Sequence, residues 1–335
     1  MKEAIIQIKS GGRIQQPAVL EGISLERSSS CEPSKLVFTC IKDRGYGEEG
    51  WAEGGLSFAE GCEVIFSYGD TDMFRGRVFE KRRNKDHHIE VTCYDNLRYG
   101  KNEENYVFTN IRLDQIVTRI AQDLEYPLGH ITKTNYVIPK FIKTDSTILD
   151  VLNEAIGQTS DNTGIDYVLY DDCGRLCLKS SDEMMLDLYI DKDTFSDFEY
   201  GSSIDSNTFN RIVVQVGDKD SEHKELIIEE DRKRQEHWGL LQKVIKVGEN
   251  AKMAKELAKF ALINHCRVGR SLTINNQFGD VRVRGGSGIY IDHSMFGDLP
   301  QLIQKMWVHK VTHKFDHNDY YMDLTLTDER GFFDV

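Results

Sequence analysis

The chain has 335 residues, 39% hydrophobic and 29% charged, with a net charge of -13; that length and balance provide for two or three packed domains and exclude a disordered chain. The acidic excess argues against a specific nucleic-acid partner, whose phosphates would be repelled on average. No apolar run reaches the length of a membrane span, Met1-Lys2-Glu3-Ala4-Ile5-Ile6-Gln7 turns polar too early for an export signal, and seven scattered cysteines do not suit a secreted disulfide framework, so the expected setting is the cytosol unless the chain is packaged.

Taken in chain order, the first hundred residues predict strands at Ala4 to Ile8, Val19 to Leu25, Lys35 to Ile41, Glu63 to Tyr68, Phe74 to Lys81 and Ile89 to Tyr94, separated by Gly, Ser and Asn clusters. This pattern reads as a small β-barrel or sandwich. Residues 44 to 55, Arg-Gly-Tyr-Gly-Glu-Glu-Gly-Trp-Ala-Glu-Gly-Gly, lack both a following helix and a Gly-Lys-Ser/Thr. They therefore predict a loop that orders on a partner, not a phosphate cradle.

From residue 111 the apolar period lengthens. Leu113, Ile116, Val117, Ile120, Ala121 and Leu124 share one helical face, with Asn110 as the expected N-cap and Pro127 past the end. A second helix is expected from about Ser146 to Ile156 with Gly157 as its cap, then strand, turn and strand over Tyr167 to Tyr170, Asp171 to Gly174 and Arg175 to Leu178. After the polar stretch Gly201 to Asn207, Arg211 to Val216 restarts β-structure, the charged segment Glu229 to Glu236 precedes Trp238-Gly239-Leu240-Leu241-Gln242, and a helix is expected at about Ala251 to Asn264. Strands are expected again at Leu272 to Asn275, Val281 to Arg284 and Ile289 to Ile291. The fold class is mainly β with an α+β insert: two similar small β-barrel domains over 1–105 and 201–335, the latter with the helix at about 251–264, around a central α/β portion over 106–200.

The barrels are expected to be similar because residues 73 to 97 and 306 to 330 resemble each other at a constant offset of 233. Met73/Met306, Val78/Val311, Lys81/Lys314, Asp86/Asp319, Thr92/Thr325 and Asp95/Asp328 are identical, and each segment reads as aromatic, Val four residues on, polar turn and alternating return strand. A hairpin in each copy places Val78, Ile89, Val91, Val311, Met322 and Leu324 inside, Glu90 and Asp323 outside, and Phe74 and Trp307 in equivalent inward positions. Presenting one β-unit twice suits assembly better than catalysis.

No catalytic constellation stands out. His309, His313 and His317 would align on a helix as a metal set, but the local alternation is that of a strand running into a turn. Cys173 and Cys177 straddle a turn without a second ligand pair, and the basic run Lys81-Arg82-Arg83-Asn84-Lys85 reads as a solvated hairpin tip. Arg282-Val283-Arg284-Gly285-Gly286-Ser287-Gly288 fits neither a nucleophile elbow nor a dinucleotide loop, because a strand is expected to follow it, and reads as a tight connection. Catalytic residues, metal ligands and cofactor-binding residues are therefore all expected to be none, and the chain is expected not to be an enzyme.

Several stretches resemble a known family, the baseplate hub proteins of contractile phage tails and specifically the XkdQ/YqbQ branch of PBSX-like prophages and phage-tail-like bacteriocins. They are Gly76-Arg77-Val78-Phe79-Glu80-Lys81, Val91-Thr92-Cys93-Tyr94-Asp95-Asn96-Leu97-Arg98-Tyr99, Tyr136-Val137-Ile138-Pro139, Asn162-Thr163-Gly164, Tyr167-Val168-Leu169-Tyr170-Asp171-Asp172, Trp238-Gly239-Leu240-Leu241-Gln242 and Gly279-Asp280-Val281-Arg282-Val283-Arg284-Gly285-Gly286-Ser287. Their order covers nearly the whole chain. The resemblance implies a homotrimer whose six barrels form a pseudo-sixfold ring in the baseplate, assembled in the host cytoplasm and linking a sixfold tail tube to a threefold central spike among other baseplate proteins, without cofactors. Residues 44 to 55 and the hairpin tips at 82 to 87 and 316 to 319 are the expected contacts. The rival classes are a tail-associated cell-wall hydrolase, which needs a placed acid and nucleophile or a zinc triad, and a carbohydrate-binding module, which needs clustered exposed aromatics.

Overall fold

A computed structural model describes residues 3–20, 22–41, 56–85, 88–205, 207–217, 225–247, 254–292, 303–316 and 319–328. The N-terminal strands are β1 (Ala4–Ser10), β2 (Arg13–Gln15), β3 (Ile23–Ser28), β4 (Lys35–Ile41), β5 (Glu63–Tyr68), β6 (Thr71–Arg83) and β7 (His88–Tyr94). Alternate side chains of these strands, among them Ile8, Leu25, Leu36, Phe38, Phe66 and Val91, form one apolar core. Val19 makes only an isolated bridge to Cys40, so β3 begins at Ile23 and not at Val19.

The middle portion carries β8 (Glu103–Arg112), α1 (Leu113–Asp123), β9 (Leu128–Ile131), β10 (Val137–Thr147), α2 (Ile148–Thr163), β11 (Tyr167–Asp171) and β12 (Leu176–Ser180). The apolar face expected for the first helix is buried, but Asn110 is not its cap: β8 pairs with β10 as far as Arg112, and the Gln115 side chain accepts the Arg112 N–H at 3.1 Å. Helix α2 starts on a reciprocal cap between Thr147 and Asp150 and runs through Gly157 to a left-handed Gly164, where φ is +68°. In its last turns Thr159 and Thr163 satisfy their hydroxyls within the helix by donating to the carbonyls four residues back.

Beyond the middle portion come β13 (Met185–Ile190), β14 (Asp197–Ser203), β15 (Arg211–Val216), β16 (Glu225–Glu230), α3 (Arg232–Trp238), β17 (Gln242–Val247), α4 (Ala254–His265), β18 (Gly269–Phe278), β19 (Gly288–Asp292), β20 (Ile303–Asp316) and β21 (Asp319–Thr327). A separate small sheet, β16-β15-β17, packs one face on α4 through Ile212, Val214, Ala258 and Ala261. Strands β13 and β14 pair with β19 and β18, so the last strands of the 106–200 segment belong to the C-terminal sheet. Val281–Arg284 is a turn and not a strand: Asp280 accepts the Arg282 N–H at 2.9 Å and binds its guanidinium, local bonds that replace a ladder.

Among the described residues thirteen strands join in one sheet, ordered β14-β18-β21-β20-β3-β4-β7-β6-β5-β1-β2, with β19 beside β20 and β13 beside β19. The duplication is visible in it, since β4-β7-β6 and β18-β21-β20 are the same antiparallel trio. The register differs from the gapless alignment, however. Val78 faces Cys93 and Val308 faces Leu326, each just before a bulge at Phe79 or His309. The return strands correspond at 233, whereas the outgoing strands correspond at 230, so Val78 matches Val308 and not Val311. The three positions gained lengthen the second hairpin, which adds the pairs Phe315–Tyr320 and Asp316–Asp319 beyond Lys314–Tyr321, the counterpart of the Asn84–His88 hydrogen bond in the first.

Strand β20 joins the two repeats, and its extension carries the contact into the N-terminal core. Lys310 to Phe315 pair with β3 from Ser28 to Ile23, and Phe315 enters the N-terminal core against Phe66, Tyr68 and Tyr320. The first hairpin feeds the N-terminal core, whereas the second feeds the C-terminal core through Val308, Val311, Met322 and Leu324 and the N-terminal core through Phe315, and both lie in one continuous sheet. Val78, Val91, Val311, Met322 and Leu324 are buried, Ile89 is half-buried, Glu90 is exposed and Asp323 is half-buried on Lys314. Phe74 and Trp307 are both buried but not equivalent. Phe74 faces the N-terminal core, whereas Trp307 occupies the position of Arg77 and packs outward on Val168, Tyr170 and Cys177 of the middle portion.

Candidate assembly surfaces and a buried three-way junction

Among the described residues the sheet ends at β14, at β2 and, on the branch through β19, at β13, each with an open outer edge. Such edges carry a row of unpaired amides and carbonyls that a neighbouring strand can satisfy. Exposed apolar side chains accompany the open faces: Ile14 on β2, Phe198 on β14, and a row of Ile228, Val213 and Val244 across the small sheet, of which Ile228 and Val244 are exposed. In the two-stranded sheet Val107 and Ile142 face each other, 66% and 48% exposed. A groove of about 1060 Å³ runs between α2 and the β3–β4 connection, lined in part by Glu32, Leu149, Asn153, Glu154 and Asp161. Of the expected contact segments, residues 44 to 55 lie outside the described residues, as do 86, 87, 317 and 318 at the hairpin tips; Arg82, on the first hairpin near its tip, is exposed and paired with Glu80.

Where the N-terminal sheet, the middle portion and the C-terminal sheet meet, the contacts are close. A Cβ on Gly285 would strike the backbone of Ser28 and Ser29, and one on Gly286, at φ +87°, would strike Val168. The Gly285-Gly286-Ser287-Gly288 run is thus a close-approach connection. Beside it Arg27, buried, donates to the Met73 carbonyl, and burial together with Arg284 lowers its pKa to about 10. Arg284 lies 3.8 Å from the centre of the Tyr170 ring and 3.4 Å from the Asp172 carboxylate.

Of the three spaced histidines, His309 and His313 fall among the described residues, and both bond to protein groups. Nε2 of the fully buried His313 is 3.0 Å from the Val283 carbonyl and must donate to it, which leaves Nδ1 to accept the Tyr320 hydroxyl at 2.8 Å. Burial, with Arg27 nearby, holds its pKa well below the usual histidine range, so it stays neutral. His309 sits at the bulge beside the Ser29 hydroxyl, and His317 lies outside the described residues. Among the described residues no three His, Cys, Asp or Glu side chains gather as metal ligands. All seven cysteines are free thiols; Cys173 donates to the Asp72 carbonyl at 3.4 Å and Cys177 is buried. No helix of the described residues is long and apolar enough to cross a membrane.

Sequence reasoning missed the buried aspartates that close each repeat. The Asp95 carboxylate accepts the Ser34 N–H at 2.9 Å while its own N–H donates to the Ser34 carbonyl, and Asp328 makes the same reciprocal pair with Arg270. The identity Asp95/Asp328 was the available signal. Its partners lie 61 and 58 residues away, beyond any local pattern.

A family model described as YQBQ-like matches residues 23–327. The chain belongs to the YQBQ-like family. Phage-like element PBSX protein XkdQ of Bacillus subtilis (strain 168) is 28% identical over 319 residues, 93% of each chain. Among solved structures, the 43 kDa tail protein of prophage MuSo2 from Shewanella oneidensis superposes with a TM-score of 0.66 over 97% of this chain and 96% of that one, at 13% identity. The E. coli c3393 protein, described as a type VI secretion component structurally similar to T4 tail proteins gp27 and gp5, gives 0.56 over 98% and 78%, at 10% identity. These likenesses establish a mainly β fold shared with phage tail proteins.

Proposed function

We propose that this family member is a structural baseplate hub of a contractile tail, joining the sixfold tail tube to the threefold central spike as a trimer. The observation that carries the reading is the side-by-side duplication: two similar strand units in one sheet, in a chain with the fold of phage tail proteins. Three chains then present six related surfaces around one axis and three whole chains around the same axis, which meets both symmetries with one sequence. The open edges of β14 and β2 are strand-pairing sites that neighbours in such a ring would cover. The homology to a PBSX element protein supports a prophage or tailocin particle assembled in the host cytoplasm.

The test is co-expression with the tail tube protein of the same cluster, followed by electron microscopy of the tail tip. The expected result is a ring of three chains capping the tube; a chain that never joins tube or spike overturns the proposal. The hydrolase reading has no residues to support it among those described, and release of soluble fragments from purified peptidoglycan by this chain alone would restore it. Glycan-array binding would do the same for the carbohydrate-binding reading.

A further inference from the structure

Two buried carboxyl groups from different parts of the fold meet on consecutive amides of one turn. Asp95 and Asp171 are 2% and 6% exposed. Asp95 ends the N-terminal sheet and accepts the Leu97 N–H at 3.1 Å as well as that of Ser34. Asp171, at the end of β11, accepts the Gly174 N–H at 2.6 Å and the N–H of Asn96. The carbonyl of Asn96 takes the Tyr126 hydroxyl. The short 3-10 turn Asn96–Lys101 is thereby held from both sides, by its own cap and by a carboxyl of the middle portion.

The charged and titratable groups facing this pair leave it without a counter-ion bonded to either carboxylate. Arg284 reaches the Asp171 main-chain carbonyl at 3.3 Å and pairs with Asp172 and the Tyr170 ring; its charge pulls the Asp171 pKa down, but less than burial pushes it up. Arg77 donates to the Gly61 carbonyl at 2.9 Å. The remaining neighbours are Cys31, Tyr99, Tyr126, Asp172 and Cys173, none of them a cation. The equivalent aspartate of the second repeat is treated oppositely, with the Arg267 and Arg270 guanidiniums 3.4 and 3.8 Å from Asp328.

We propose that Asp95 and Asp171 share a proton and act as a pH-dependent latch holding the middle portion against the N-terminal sheet, closed while the pair carries the proton and loosened when both ionise. Burial raises the pKa of each, and for Asp95 the neighbouring Asp171 raises it further, because two charges cannot both be held in so dry a site. Once the junction opens, both carboxyls regain water and their ordinary range near ~4. Closing therefore takes up a proton. The contribution is fully present at low pH and is lost as pH rises through the raised titration of the pair, with the opening constant growing by up to about tenfold per pH unit for one linked proton.

Hydrogen exchange on the full chain, corrected for intrinsic amide rates, reads this opening at residues 96–101 and 172–176. Wild-type protection should fall by up to about tenfold per pH unit once pH exceeds the ordinary carboxylate range. Asp171→Asn removes the charge while keeping an acceptor oxygen for the Gly174 amide, so its protection should not change with pH; Asp95→Asn replaces it if that variant does not fold. Asp328→Asn should leave the wild-type pH dependence of these amides intact. Infrared spectra at neutral pH should show a protonated-carboxyl band that either latch variant removes. The proposal is overturned by pH-independent wild-type protection, by a pH dependence that survives in the latch variant, or by absence of the variant-sensitive band.

Discussion

Truncating Phe315 to Ala tests whether the longer second hairpin is what joins the two repeats. The ring is 3% exposed, stacks on Tyr320 at 4.3 Å between centroids and meets Phe66 edge-on at 4.9 Å. Its strand position also pairs with Ile23 of β3, so it stands on the seam between the repeats. Removing it forfeits the ring's burial and leaves a cavity among Phe66, Tyr68 and Tyr320, a cost of about 3–5 kcal/mol. Lys314→Ala, one residue earlier, removes a partly exposed ion pair to Asp323 and should cost no more than about 1 kcal/mol. Urea unfolding followed by far-UV circular dichroism and tryptophan fluorescence should show Phe315→Ala lowering the midpoint far more than Lys314→Ala. Hydrogen exchange should locate the lost protection in β3 and β20. Equal small effects from the two variants would show that the tip does not join the repeats.

Gly285→Ala should destabilise the chain by about 1–3 kcal/mol, since the added methyl meets the Ser28–Ser29 backbone, which has no side-chain freedom to yield; an unchanged thermal midpoint would refute the close approach. Asp328→Ala removes the acceptor of the Arg270 N–H and the partner of two guanidiniums, at a cost of about 1.5–3 kcal/mol in urea unfolding, and a loss below about 0.5 kcal/mol would show the reciprocal pair to be incidental. On the acid side, the lowered pKa of buried His313 means that the unfolded chain binds the proton first. Its contribution is present above the ordinary histidine range near ~6.5 and is lost as pH falls, by up to about 1.4 kcal/mol per pH unit, with His265, lowered by burial to about 4, acting in the same direction. His313→Gln should flatten that slope in equilibrium unfolding, and a variant as acid-sensitive as wild type would sink the assignment.

Alternation made most strands legible, because a half-buried sheet writes its burial into every second residue. The pattern failed where a bulge reverses it. Met306 and Val308 point into the C-terminal core at even positions, and after the bulge at His309 the inward residues become Val311, His313 and Phe315. A gapless alignment across that change matched Lys81 to Lys314 by chance, whereas Thr92/Thr325 and Asp95/Asp328 were sound because they follow the turn, and Asp86 lies outside the described residues. The outward packing of Trp307 and the partners of β13 and β14 depend on chain segments tens of residues away or more, so no local pattern contained them. Val281–Arg284 alternates like a strand, yet the Asp280 side chain offered its backbone a local alternative. At the junction the sequence showed a tight glycine connection and a turn at Asp171–Gly174, but not that the Asp171 carboxyl reaches the amide of Asn96.

The two repeats kept their backbone and diverged in their surroundings, and that combination bears on the kind of ring they suit. The reciprocal aspartate closes both trios in the same way, its carboxylate accepting one residue's N–H while its own N–H donates to that residue's carbonyl. What surrounds it differs: a second carboxyl from the middle portion in one repeat, two arginines in the other. The hairpins diverged in the same manner, since only the second reaches across to its neighbour, and a ladder from β20 to β3 can form once per chain, not twice. A ring of identical units would need every junction alike. In the ring proposed above, a chain with one internal junction and, among the described residues, open terminal strands would instead supply two kinds of contact alternating around an axis, one within the chain and one between chains. Such alternation would give threefold symmetry that approximates sixfold at the level of the strands, the geometry that the proposed place between a sixfold tube and a threefold spike requires.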